Sequence, residues 1–111
     1  MYAAMYMGEG WIMEHERVKN TLLVKISGEL DHCSAERIRR EMDRLLADPG
    51  IKKLVLDMAE MSFMDSSGIG VILGRYREIR QRGGEVAVKN MNPQVEKVFL
   101  LSGMNQVIKM I

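Results

Sequence analysis

One cysteine, Cys33, is present among 111 residues. An intrachain disulfide needs two and a cysteine metal cluster needs more, so both are excluded, and a reducing, cytoplasmic setting is the expectation. Histidine is nearly as scarce, with only His15 and His32, which leaves little material for imidazole catalysis or metal binding. An excess of one charge is also missing. The formal net charge is +1 at pH 7, so no global field gathers nucleic acid or an anionic membrane. No apolar run approaches the roughly 20 residues that span a bilayer. No basic segment followed by an apolar block marks a secretory signal. Repeats and low-complexity linkers are absent too. What is there, 47% apolar and 28% charged residues, is the balance of one domain around one core. Many of the eleven methionines read as core filler of adaptable shape.

Met1 to Gly10 carries no clear period, and residues 1–12 are expected to form a mobile extension ahead of a domain at 13–111. Trp11 to Arg17 and Thr21 to Ser27 are strand candidates. In the second, Leu22, Val24 and Ile26 alternate with Leu23 and Lys25. Gly28 to Asp31 leaves that strand, and Ser34 stands ready to cap a helix with Glu36 in its first turn. Ile38, Met42, Leu45 and Leu46 recur at helical spacing until Asp48-Pro49-Gly50 stops them. Lys53 to Asp57 is a buried central strand, and Met58 to Met64 a loop. A second helix runs from Ser66 with Ile69, Ile72, Leu73, Tyr76 and Ile79 inward, ending at Gly83-Gly84. Glu85 to Lys89 is a strand, Asn92 caps a third helix with Pro93 at its first position, and Gln106 to Met110 reads as a last strand. The order β-β-α-β-α-β-α-β predicts an α/β fold. Its mixed sheet has four or five strands, an antiparallel edge hairpin, and helices packed largely on one face.

The most informative segment is Met64-Asp65-Ser66-Ser67-Gly68-Ile69-Gly70-Val71. It places two serines, behind an aspartate, at the first turn of a helix. A helix start has unpaired N–H groups and roughly half a positive charge, so it is expected to tolerate a phosphate. Gly68, Gly70 and Gly74 each cost up to about 1 kcal/mol against alanine in a helix. Close approach of a partner is the reading favoured for Gly68 and Gly70, and close packing for Gly74. The three glycines match a loose dinucleotide pattern, but the serines occupy the helix start and Lys89-Asn90, not an acid, closes the next strand. A hydrolase reading lacks the G-x-S-x-G elbow and an obvious base. Cys33 beside His32 falls short of a zinc site. Arg75, Arg77, Arg80 and Arg82 describe a solvated helix face rather than a nucleic-acid stripe.

These residues carry a resemblance. Gly28-Glu29-Leu30-Asp31-His32, the run Met61-Ser62-Phe63-Met64-Asp65-Ser66-Ser67-Gly68 and its continuation to Tyr76, and Ser102-Gly103-Met104 closely resemble the anti-sigma factor antagonists of sporulating bacteria. Those are single-domain STAS proteins, and the resemblance runs from about Met13 to Ile108. Cys33 stands where the family usually has histidine. The resemblance implies a regulatory binding protein, not an enzyme, without a cofactor. Its unphosphorylated form binds an ATP- or ADP-bound anti-sigma factor serine kinase and frees the sporulation sigma factor. Phosphorylation of Ser66 switches it off, and a serine phosphatase resets it. Asp31 is then expected beside Ser66, and Asp31, Asp65, Ser67, Gly68, Ile69 and Gly70 on the docking surface. A monomer is expected when free, with no nucleic-acid or membrane partner. The competing reading is a STAS sensor or scaffold in another partner-switching or small-ligand system.

Overall fold

The structure, a computed structural model, describes residues 3–6 and 11–111, with side chains from Met13 onward. In chain order the elements are β1 (Ala3–Tyr6), β2 (Trp11–Val18), β3 (Thr21–Ile26), β4 (Gly28–Leu30), α1 (Ala35–Leu45), β5 (Lys53–Asp57), β6 (Met61–Met64), α2 (Ser66–Gln81), β7 (Glu85–Lys89), α3 (Pro93–Leu101) and β8 (Lys109–Met110). A 3-10 turn, Met104–Gln106, precedes β8.

The alternation of β3 organises the fold. Leu22, Val24 and Ile26 are buried and their neighbours are not, as a strand covered on one face requires. β3 pairs in parallel with β5, and β5 with β7, in registers that line up Leu22, Leu54 and Val86, then Val24, Leu56 and Val88. These residues form one core with Ile38 and Met42 of α1, Val71, Ile72 and Ile79 of α2, and Val95 and Phe99 of α3. All three helices therefore bury their apolar stripes against the same face of the sheet. The main sheet runs β1-β2-β3-β5-β7-β8, with β1–β2–β3 antiparallel and the rest parallel. Each parallel step needs a crossover, and α1, α2 and α3 supply them.

Three features depart from the sequence reading. Ala3–Tyr6 adds a strand before Trp11, paired antiparallel with β2. Of the rest of the expected mobile extension, Trp11 and Ile12 open β2, while Met1, Tyr2 and residues 7–10 lie outside the described residues. Gly28–Leu30 and Met61–Met64, expected as a strand exit and a loop, pair in parallel as a separate two-stranded ladder. They are short, and β6 shows no alternation of burial, so no period announces them. The last strand is only Lys109–Met110, because residues 104–106 wind into the 3-10 turn.

The arginine run of α2 is not one solvated face. Arg75 is 9% exposed, with Nε 3.1 Å from Asp43 of α1. That approach lies off the hydrogen-bond axis, and Nε and Nη1 make no hydrogen bond among the described residues. Arg82 is also turned inward. It donates to the carbonyls of Asp48 (3.0 Å) and Ile51 (3.3 Å) and to that of Leu46, while Glu78 accepts from it at 2.8 Å. A helix end leaves carbonyls without intrahelical partners, and Arg82 serves Leu46, the residue that ends α1. Replacing Arg82 with alanine should cost about 1.5–3 kcal/mol, the range for hydrogen bonds to a charged group. Exposed Arg77→Ala should stay within about 0.5 kcal/mol of wild type. Urea denaturation midpoints with unchanged slopes would check both.

Candidate functional site

The β4–β6 ladder brings two helix starts together. Leu30 pairs with Met64, and the Asp65 N–H donates to the Leu30 carbonyl at 3.3 Å. Asp31 and Asp65, the residues that follow, therefore occupy neighbouring positions: Asp65 is the N-cap of α2, and Asp31 opens the turn that leads into α1. The Asp65 carboxylate accepts from the N–H groups of Ser67 (2.8 Å) and Gly68 (3.3 Å), capping α2. Ser34 holds the N-cap position of α1, as expected, but its side chain makes no capping hydrogen bond to the helix; the capping carboxylate belongs to Asp31, in the turn before it. Asp31 Oδ1 accepts from the N–H groups of Cys33 (2.9 Å) and Ser34 (3.0 Å). Ser34 Oγ accepts from the Asp31 N–H at 3.1 Å and donates to the Glu29 carbonyl at 2.7 Å. This is a reciprocal capping box with the aspartate in the leading place. The Ser34 N–H is the main cause that holds the Asp31 carboxyl below its ordinary range, with the Cys33 N–H and the Ser34 hydroxyl adding to it.

On the first turns of α2, Ser66 and Gly70 are exposed, Ser67 and Ile69 half-buried, and Gly68 buried. Ser66 Oγ makes no hydrogen bond among the described residues, and no base activates it. The glycines sort differently from expectation. A Cβ on Gly68 would stand 2.7 Å from the Leu30 carbonyl oxygen and from Met64 Cγ. Gly68 is thus required by packing inside the domain rather than by a partner. Gly74, read as a packing glycine, has nothing within 4 Å of such a Cβ, and neither does Gly70. Since Gly68 lies inside the helix and not in the strand-to-helix turn, the dinucleotide pattern has no phosphate loop behind it.

The helix start is also not an empty anion cradle. Two of its N–H donors are already engaged by Asp65, so a phosphoryl group on Ser66 would sit beside that carboxylate rather than on open donors. Close by, Cys33 is exposed, its Sγ 3.5 Å from His32 Nε2. One further neighbour, Phe63, is 38% exposed. An aromatic in a four-residue strand without alternation carries no signal of which side it takes.

Residues 13–111 match the family model of the STAS domain. The chain is 44% identical to the anti-sigma F factor antagonist of Paenibacillus polymyxa over 96 residues, covering 86% of this chain and 80% of that one. It also matches the solved structure of the anti-sigma factor antagonist SpoIIAA in its unphosphorylated form, with 33% identity and a TM-score of 0.78 over 89% of this chain and 87% of that one. The phosphorylated form of the Bacillus cell fate determinant SpoIIAA matches with 31% identity and a TM-score of 0.70, over 89% and 90%.

Two outcomes follow from this geometry. Gly68→Ala should destabilise the domain by about 1–3 kcal/mol, as overpacking against a fixed backbone does. Gly70→Ala should be neutral or stabilising by up to about 1 kcal/mol through helix propensity. Thermal melts of both variants would separate them. For Asp31, the folded carboxyl is more acidic than the unfolded one, whose ordinary value is 3.8. Its contribution is therefore present above that value and is lost as pH falls through it toward the lower folded value. Asp31→Asn keeps an acceptor at the cap but cannot titrate, so denaturation curves between about pH 5 and pH 2 should be flatter for the variant.

Proposed function

The chain belongs to the STAS domain family and is an anti-sigma factor antagonist; from that premise, we propose that Ser66 is the residue on which its activity is switched. Unphosphorylated, the chain binds an anti-sigma factor that is also a serine kinase holding ATP or ADP, and so releases a sporulation sigma factor. Phosphorylated on Ser66, it lets go, and a serine phosphatase restores it. The protein acts in the cytoplasm as a monomer when free, and it is a substrate and a binding partner rather than a catalyst.

The observation that carries this reading is the placement of the Ser66 hydroxyl. It is exposed and unbonded, at the head of α2, next to Asp65, whose carboxylate already holds the N–H groups of Ser67 and Gly68. A phosphoryl group adds about −1.5 to −2 charges. In the free protein that group points into water, and nothing needs to move to make room for it. Against a docked partner it must be desolvated next to Asp31 and Asp65, at a cost of several kcal/mol unless a cation matches it. Each ~1.4 kcal/mol is tenfold in affinity, so release by a factor of about one hundred or more needs no refolding. That one relative, SpoIIAA, is known in phosphorylated and unphosphorylated forms supports the same reading. Asp65, Ser67, Ile69 and Gly70 frame the serine and complete the proposed contact surface with Asp31, while Gly68 supports it from beneath.

Incubation with the anti-sigma kinase of the same bacterium and ATP should add one phosphate to Ser66, located by tandem mass spectrometry. Ser66→Ala should gain none. Gel filtration should show the complex lost on phosphorylation, and amide NMR shifts should stay near Ser66. Phosphate on Ser67 would move the switch by one residue. Neither phosphate nor complex would favour a STAS scaffold that reads another partner or a small ligand.

A further inference from the structure

The chain has two phenylalanines, and they are used in opposite ways. Phe99 is fully buried in the core, whereas Phe63 is 38% exposed. Phe63 lies three residues before Ser66, on β6, in register with exposed Glu29 on β4. Ser62 beside it is exposed as well, so the ring sits on a polar ledge. The carboxylates of Glu29, Asp31 and Asp65 belong to the same ledge, since β4 and β6 run in parallel into the two capping aspartates.

We propose that Phe63 is the apolar anchor of the anti-sigma factor interface, inserting into an apolar pocket of that partner whose rim carries positive charge. The inference rests on Ser66 marking the docking surface and adds what gives that surface its affinity. Interfaces draw most of their energy from a few buried aromatic residues surrounded by polar contacts that exclude water. Phe63 is the one large apolar side chain exposed on the β4–β6 ladder, and the acidic rim around it names the complementary partner chemistry. Ser66 then stands where a phosphate would break the water-excluding rim around the ring. A small change in charge would in this way release a contact that is itself apolar.

The test measures binding of the same bacterium's anti-sigma factor, with ADP, to wild type, Phe63→Ala, Phe63→Leu and Ser66→Asp. Phe63→Ala should bind about 30-fold or more weakly, the range of an interface hot spot, with Phe63→Leu in between. Thermal melts should show both variants folded at the binding temperature, so that the loss reads the interface. A photo-crosslinking phenylalanine analogue at position 63 should crosslink to the anti-sigma factor. Full binding by Phe63→Ala alongside loss by Ser66→Asp would overturn the anchor and leave the switch intact. Full binding by Ser66→Asp alongside loss by Phe63→Ala would overturn the placement of Ser66 and keep the anchor. A crosslink from position 63 to a second copy of the chain, in place of the anti-sigma factor, would also overturn the proposal.

Discussion

The short ladder of β4 and β6 ties down three helix starts at once. β4 runs into Asp31, which caps the turn leading to α1, and β6 runs into Asp65, which caps α2. The third tie is Asn92. Its Oδ1 accepts from the Val95 N–H at 2.8 Å at the start of α3, and its Nδ2 donates to the Met61 carbonyl of β6 at 2.8 Å. A helix start must satisfy donors that the helix itself cannot. Here each uses a short polar side chain next to the same two strands, so the chemistry of the site and the anchoring of the helices share atoms. Leu30 sits at the junction. Its carbonyl accepts from the Asp65 N–H and lies too close to Gly68 for any side chain there.

The opposite ends of α1 and α2 are held by a different kind of contact. There the free groups are carbonyls, and a cation is the suitable partner. Arg82 supplies it across the seam, and Arg75 lies buried between the helices beside Asp43. The pair of helices is thus fixed by aspartates at one end, by Arg82 at the other and by Arg75 between them. Such anchoring suits a surface that signals by gaining charge, because a change stays local when the scaffold beneath it is held at both ends. The exposure of Ser66 and the tight fit of Gly68 two residues on express this division between what faces outward and what is locked in place.

Where the pattern is local and repeated, the residues reveal their role without a structure. The alternation of β3, the helical spacing of α1 and α2, the Asn92-Pro93 cap and the Gly83-Gly84 stop all appear in the described fold. Gly83 takes a φ of +76°, and a side chain at Gly84 would run into the Lys52 backbone. Asp65 at the head of α2 is legible for the same reason, since a cap acts on residues two and three positions away. Ser34 shows the limit. Both it and Asp31 are good capping residues by composition, and only the path of the chain from β4 decides which one faces the free N–H groups.

By itself, then, the sequence determined the α/β order, the apolar faces and the exposed serine at a helix start, because each depends on neighbours within a few residues. Tertiary structure alone decided the rest. It joined Gly28–Leu30 to Met61–Met64 across more than thirty residues, and that pairing sets Asp31 beside Asp65. It turned Arg75 and Arg82 inward from a run that looked solvated, reserved Gly68 for packing, and left Phe63 on the surface. Each outcome depends on which distant segment arrives next to the residue, and no local period records that.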